Sequence, residues 1–143
     1  LIKWIDNVPF FPVMGQGNNF QQPIYVKDLA WSIVEIIEKK KTFHKIFNLS
    51  GPEPLTFNEI IKIISFYLGK KPLMLFLPYL FFSKILNFTE FLGLKFFIKS
   101  EQILRLNEDK IFPNDKAKNI FGYKPTEFDK AIFEEIKIYK RKK

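Results

Sequence analysis

The side chains that could hold a ligand are concentrated in one polar loop. Asn18, Asn19 and Gln21 follow a turn built on Gly15 and Gly17, and no hydrophobic core needs these polar residues. Carboxamides both donate and accept hydrogen bonds, so the loop is suited to a polar ligand. The alternative is a solvated surface loop without a binding role.

Arg105 is a second candidate, because it is the only arginine outside the C-terminal tail. The guanidinium fork can hold a phosphate through two charge-assisted hydrogen bonds. Glu108 and Asp109 lie close by in the sequence, so a surface ion pair is the alternative.

Two tyrosines are each followed four residues later by a lysine, at Tyr67–Lys71 and Tyr139–Lys143. A lysine one helical turn away lowers the pKa of a phenol, which can then act as acid or base. However, Gly69 should end the first helix before it can present Lys71, and the second pair lies in the basic tail. We therefore predict no catalytic residue in this chain.

Several chemistries are excluded or disfavoured by composition. There is no cysteine, and a single histidine, His44, cannot build a zinc site or a Ser-His-Asp arrangement, so no metal is predicted. The net charge of +8 comes largely from lysines at predicted helix ends and in the tail at 140–143. Such lysines complement helix dipoles, which disfavours a nucleic-acid interface.

Hydrophobic spacing gives a mostly helical pattern with a few short strands. Helices are predicted over 27–40, from a capping box at Thr56 and Glu59 to Gly69, over 79–93 and 97–106, from Asn114 or Asp115 to Phe121, and from 125–126 to about 140. Strands are predicted over 10–14, 24–26 and 45–49.

The apolar stretch 72–98 raises the question of a membrane span. Pro78 breaks it, and Lys84, Glu90 and Lys95 interrupt the second half of the stretch. A spanning helix needs roughly 20 apolar residues with few charges, so insertion is disfavoured, while contact with a membrane surface stays open.

Four segments in order resemble the extended short-chain dehydrogenases/reductases of the NAD-dependent epimerase/dehydratase type. They are the glycine turn with Gln22-Pro-Ile-Tyr-Val-Lys-Asp28, then 47–56, 101–109 and 115–128. The last two look most like nucleoside-diphosphate-sugar epimerases. For Asp28 we predict a structural capping role, because an acid in a first helical turn interacts favourably with the helix dipole.

The resemblance implies an α/β fold: the C-terminal, mostly helical substrate-binding portion of an extended NAD(P)-binding Rossmann-type reductase, with residues 1–143 as one region. It also implies that the cofactor-binding N-terminal half is absent from this chain. No G-x-G-x-x-G turn occurs here. We therefore expect NAD or NADP in the full-length parent, no cofactor bound by this chain alone, and no turnover by it.

The resemblance further implies a nucleotide-sugar substrate, with the Asn18–Asn19 loop beside its diphosphate and Arg105 near a second basic position. An arginine often stands where this chain has Gln21, which brings no charge. The partners of this chain would be that substrate and the missing N-terminal half, with a homodimer left open. We expect a cytoplasmic location, with peripheral membrane association open. The alternative function is a non-catalytic, reductase-like binding or membrane-associated module.

Overall fold

A computed structural model describes residues 1–78 and 108–143 of the 143-residue chain. The described elements are α1 (Ile2–Asn7), β1 (Phe10–Met14), β2 (Phe20–Gln21), α2 (Val26–Ile37), a 3₁₀ turn (Lys40–Thr42), β3 (Leu55–Thr56), α3 (Phe57–Leu68), β4 (Leu73–Leu77), α4 (Asp115–Phe121) and α5 (Phe128–Arg141). The predicted helices at 79–93 and 97–106 lie outside the described residues.

The chain forms two compact units. Unit 1 contains Leu1–Asn19 and Thr56–Asp109, and unit 2 contains Phe20–Leu55 and Lys110–Lys143. The chain therefore passes between units at three points, two of which fall at the short strands β2 and β3.

Unit 1 is built on a pair of parallel strands, β1 and β4, in register from Phe10–Leu73 to Met14–Leu77. Its buried side chains are Ile5, Phe11, Val13, Ile60, Ile61, Ile64 and Leu68, from α1, β1 and α3. Helix α3 begins at the predicted capping box, in which the Thr56 hydroxyl accepts from the N–H of Glu59 and the Glu59 carboxylate accepts from the N–H of Thr56. It ends at Gly69 in the left-handed conformation, as predicted.

Unit 2 packs around the C-terminal end of α4. Ala117, Phe121 and Tyr123 form its buried cluster, and the ring of Phe47 meets Phe121 edge-to-face at 5.3 Å. Gly122 ends α4 in the left-handed conformation, as the sequence predicted. The fold class, α/β with few short strands, is confirmed.

Two predicted strands are wrong. Helix α2 begins at Val26, so 24–26 is not a strand, and 45–49 is not assigned as one either. The alternation in 45–49 instead separates buried from exposed side chains: Phe47 and Leu49 pack on the core of unit 2, while Ile46 is 85% exposed. A strand also needs a backbone partner, and no backbone–backbone hydrogen bond among the described residues reaches 46–49.

No helix within the described parts of the chain is long and apolar enough to cross a membrane.

Candidate functional site

The glycine turn after β1 is fixed between β4 and the start of α3. Gly17 has a φ of 67°, and a Cβ there would lie 2.3 Å from Asn58 Oδ1 and 2.8 Å from Val13 Cγ1. Gly15, with a φ of 65°, donates its N–H to the carbonyl of Leu77 at 2.9 Å. Only glycine meets both the conformational and the steric demand at position 17.

The loop after this turn closes the N-terminal end of α3. The N–H groups of Phe57 and Asn58 donate to the carbonyls of Asn19 and Gly17, at 3.1 and 3.0 Å. The third N–H of the helix donates to the Thr56 hydroxyl at 3.2 Å. Free N–H groups at a helix start are what bind a pyrophosphate, and here the chain itself occupies them. The geometry of this loop and helix therefore does not fit a dinucleotide.

A cleft of about 480 Å³ adjoins the loop and is lined by Gly15, Gln16, Gly17, Asn18, Asn19 and Asp109. Asn58 Nδ2 donates to the carbonyl of Gln16 at 2.8 Å and to Asn18 Oδ1 at 3.2 Å. Asn18 Nδ2 in turn lies 3.3 Å from Gln16 Oε1. Asn18 thus has a structural role as well as a place in the cleft.

The described lining of this cleft consists of glycines, carboxamides and one carboxylate. Asn18 and Asn19, which were predicted to bind a ligand, both line it, and Asp109 is the charged residue in the described lining. Carboxamides and a carboxylate match hydroxyl groups, and a carboxylate repels phosphate. The described lining therefore offers hydrogen-bonding groups for a hydroxyl-bearing ligand and no cation for a diphosphate.

Gln21 belongs to the other unit, where it forms a parallel β-bridge with Lys110. The Lys110 N–H donates to the carbonyl of Phe20 at 2.8 Å. The next residue anchors the strand: Gln22 Nε2 donates to the carbonyl of Gly51 at 2.8 Å, and Gln22 Oε1 accepts from the N–H of Phe112 at 2.9 Å. This bridge was not predicted, because a one-residue bridge leaves no periodic signal in the sequence.

A buried polar network holds the turn at Ser50 in the same unit. Tyr123 Oη donates to the Ser50 carbonyl at 2.9 Å, and Asn114 Nδ2 donates to the carbonyls of Ser50 and Gly51 at 3.2 and 3.1 Å. The Ser50 hydroxyl donates to the carbonyl of Phe112 at 2.8 Å. Burial, and to a lesser extent the negative charge of Asp28, raises the pKa of Tyr123 to about 12. This tyrosine is therefore a structural hydrogen-bond donor.

Arg105 lies outside the described residues. In the two tyrosine–lysine pairs, α3 ends at Leu68 and α5 ends at Arg141, so Lys71 and Lys143 both lie beyond the helices that carry their tyrosines. Within 1–78 and 108–143, no three potential metal ligands come together.

Solved structures match the fold of nearly the whole chain, although no family model and no curated protein matches its sequence. The dTDP-glucose 4,6-dehydratase of Bacillus anthracis, in complex with NAD, is 17% identical with a TM-score of 0.70, over 98% of this chain and 37% of that one. The UDP-glucose 4-epimerase of Thermotoga maritima, with UDP-glucose, is 15% identical with a TM-score of 0.70, over 99% and 38%.

The UDP-glucuronic acid 4-epimerase of Bacillus cereus, in complex with NAD, gives 18% identity and a TM-score of 0.70, again over 99% and 38%. The fold is that of the C-terminal part of these enzymes. The chain spans about two fifths of the length of the solved structures that it matches.

Proposed function

We propose that this chain is the substrate-positioning, C-terminal portion of an NAD(P)-dependent nucleotide-sugar epimerase or dehydratase. The observation that carries the proposal is the fold match over 98–99% of the chain to enzymes whose structures hold NAD or a UDP-sugar. A C-terminal portion would also account for the matched share of 37–38% of those enzymes, and for the lack of a dinucleotide cradle in the described part.

In this proposal the chain binds and orients the substrate through Asn18, Asn19, Gln21 and Arg105. The catalytic tyrosine and lysine, and NAD or NADP, belong to the other half of the parent. When bound there, the cofactor supplies reversible hydride transfer at the sugar. Positioning of this kind accelerates the reaction by holding the reacting carbon in the productive geometry.

The exposed face of α2 is the surface on which that cofactor-binding half would dock. Val26, Ile33 and Ile37 recur at helical spacing with Val34 beside them, and Val34 and Ile37 are 71% and 63% exposed. An apolar stripe of this kind is normally covered by another layer of the fold. The occupant proposed is the NAD(P)-binding half, because the solved structures continue for roughly three fifths of their length beyond the matched part.

The segment at 46–49 adds a second docking element. Its backbone makes no backbone–backbone hydrogen bond among the described residues, although its side chains alternate as in a strand. The Ile46 carbonyl accepts from Lys116 Nζ at 2.9 Å, and the other backbone groups of this segment are suited to accept a strand from a sheet. In this proposal, a sheet of the cofactor-binding half would therefore pair with 46–49 and lie against α2.

A binding experiment on the 143-residue chain tests the substrate role. In ¹H–¹⁵N NMR spectra, UDP-glucose and dTDP-glucose are expected to shift the amides of residues 15–21, whereas NAD and NADP are expected to shift none. Clear NAD binding would contradict the proposed division of labour. Absence of any shift with both sugars would contradict the substrate role.

A fusion of the NAD-binding half of the Bacillus cereus epimerase to this chain tests the docking surface. We expect one cooperative unfolding transition, with a midpoint temperature that NAD raises. Val34→Glu should separate this transition into two. Lys118→Glu, at an exposed position on α4, is the control and should leave one transition. Two transitions in the parent fusion, or dimers of the 143-residue chain that Val34→Glu abolishes, would contradict docking of that half.

A membrane-associated module is the second candidate, favoured by one surface of unit 1. Phe66 is 77% exposed and lines, with Lys62, Lys70, Lys71 and other residues, a cleft of about 340 Å³. Aromatic side chains beside lysines suit an anionic lipid surface. Salt-sensitive co-sedimentation with phosphatidylserine vesicles, lost in Phe66→Ser, would support this function; no co-sedimentation would rule it out.

A further inference from the structure

A cleft of unit 1 beside the second half of α3 has no part in the proposed nucleotide-sugar role. Its volume of about 340 Å³ lies at the lower end of the range of roughly 300–1,000 Å³ that is typical of small-molecule sites. Its described lining comes from α3, from the segment 70–72 and from Met74 on β4. Ile61 and Ser65 are buried while Phe66 is 77% exposed, so the cleft has a buried floor and an open rim.

Ser65, at the floor of this cleft, has an unpaired hydroxyl. The residue is only 8% exposed, and its Oγ makes no hydrogen bond within the described parts of the chain. Ser32 shows the contrast: it is equally buried on α2, but its hydroxyl donates to the carbonyl of Asp28 at 2.7 Å. A buried hydroxyl without a partner destabilises a fold. At a cleft, a ligand can supply the missing partner.

The rim of the cleft carries positive charge. Lys62, Lys70 and Lys71 belong to its described lining, which contains no acidic residue. Lys70 Nζ lies 3.8 Å from a carboxylate oxygen of Asp6, and the charge of Lys62 acts on Glu59, one turn earlier on α3. Three lysines against these two acids leave one net positive charge, which favours an anionic ligand.

We propose that this cleft binds a small aromatic acid that carries a hydroxyl group. Its ring would pack against Phe66, Met74 and Ile61, since aromatic and thioether groups both pack favourably on a ring. Its carboxylate would face the lysines of the rim, and its hydroxyl would pair with the hydroxyl of Ser65. A membrane surface would cover the rim but leave the Ser65 hydroxyl unpaired. The inference goes beyond the nucleotide-sugar role and does not depend on it.

Three related ligands test each part of the site by ¹H–¹⁵N NMR titration of the 143-residue chain. 4-Hydroxyphenylacetate is expected to shift the amides of residues 61–66 and 70–74. Phenylacetate, which lacks the hydroxyl, should bind about fivefold more weakly, and 4-hydroxyphenylacetamide, which lacks the charge, about tenfold more weakly. Equal affinities for all three ligands, or no shifts in residues 61–74 with any of them, would overturn the proposal.

Ser65→Ala separates the hydroxyl contact from packing. It should weaken binding of 4-hydroxyphenylacetate about fivefold and leave that of phenylacetate unchanged. It should also raise the thermal unfolding midpoint of the free chain, because it removes an unpaired buried hydroxyl and alanine is the better helix former. Ser32→Ala is the matched control and should change neither affinity. Equal weakening of both ligands by Ser65→Ala would overturn the hydroxyl contact.

The charge of the rim is tested by Lys71→Gln, which should weaken both carboxylates alike by several-fold. Lys124→Gln, at an exposed lysine of unit 2, is the control and should weaken neither. Equal weakening by the two variants would overturn the site, because binding would then follow net charge alone.

The remaining outcomes distinguish this inference from the other two functions. UDP-glucose shifts in residues 15–21 without shifts by the acid in residues 61–74 would support the nucleotide-sugar role and overturn the acid site; the reverse result would support the acid site and contradict that role. Binding to phosphatidylserine vesicles that is lost in Phe66→Ser and unchanged in Ser65→Ala, together with no shifts by the acid, would overturn the site in favour of the membrane-associated module.

Discussion

The carboxylate of Asp28 accepts two hydrogen bonds from Thr126, which lies 98 residues further along the chain. The Thr126 N–H donates to Oδ2 at 2.7 Å and its hydroxyl donates to Oδ1 at 2.8 Å. An acid in the first turn of α2 thus fixes the segment just before α5. Its role is structural, as the sequence suggested, but the partner is remote rather than the dipole of its own helix alone.

Asp28→Ala is expected to destabilise the protein by about 1–3 kcal/mol, because it leaves a backbone N–H and a hydroxyl of Thr126 without their acceptor. Urea unfolding followed by circular dichroism gives the free energy. Asp115→Ala is the control, since it removes an exposed first-turn acid from α4 and should cost no more than about 1 kcal/mol. Equal losses in the two variants would mean that the link to Thr126 adds nothing.

Gly17→Ala is expected to destabilise the chain by more than Gly69→Ala. Both residues have a φ near 70°, but a Cβ at position 17 would lie 2.3 Å from Asn58 Oδ1, whereas nothing lies within 4 Å at position 69. Conformational strain alone costs of order 1–3 kcal/mol, and the contact adds to it at position 17 only.

The unfolding midpoints of both variants in urea check this difference. The NMR shifts of Asn18 and Asn19 should also move in Gly17→Ala and stay in place in Gly69→Ala, because only Gly17 belongs to the loop. Identical losses of stability would show that the loop relaxes and that the contact does not constrain it.

Local signals in the sequence predicted the helices of the described residues well. The capping box at Thr56 and the left-handed glycines at Gly69 and Gly122 each bound a helix at the predicted residue. These signals act over three or four residues, so they survive whatever the rest of the chain does. The α/β class came from them and from the family resemblance.

Features that depend on remote partners were not predictable in the same way. Asn114, one of the two predicted caps, does occupy the N-cap position of α4, but its side chain bonds Ser50 and Gly51 instead of an N–H of the helix. The segment 45–49 has the alternation of a strand, but 46–49 has no backbone partner among the described residues. The bridge from Gln21 to Lys110 joins residues far apart in sequence, so no spacing rule could reveal it.

The capping box should make stability depend on pH in the acidic range. Hydrogen bonds from the backbone and hydroxyl of Thr56 hold the pKa of Glu59 below its usual range. The contribution of the Glu59 carboxylate to stability is therefore complete above its unfolded-state pKa, near 4.5. It is lost as the pH falls through the lower pKa of the folded state.

Urea unfolding between pH 6 and pH 3 checks this dependence. Glu59→Gln keeps an acceptor for the Thr56 N–H and should remove this part of the pH dependence, whereas Glu59→Ala loses both the acceptor and the charge. A pH profile unchanged in Glu59→Gln would show that other carboxyl groups govern acid stability.

Tyr123 should make the protein less stable at alkaline pH. Its pKa is raised from an ordinary value of 10.0 to about 12, chiefly by burial. As the pH rises above about 10, the unfolded state therefore loses the phenolic proton first. The contribution of Tyr123 to stability is complete below that pH and is lost as the pH rises through the pKa of the folded state. Loss of the proton also removes the donor to the Ser50 carbonyl.

Tyr123→Phe separates this effect from the titration of the lysines. At pH 7 it should cost about 0.5–1.5 kcal/mol, because the Ser50 carbonyl keeps its hydrogen bond from Asn114. Above pH 10 the difference in free energy of unfolding between Tyr123→Phe and the wild-type chain should shrink, since the variant has no phenol to ionise at position 123. Tyr139→Phe on α5 is the control for the loss of a phenol at another position of the same chain. A difference between Tyr123→Phe and the parent that stays constant from pH 8 to pH 11 would mean that Tyr123 ionises equally readily in both states.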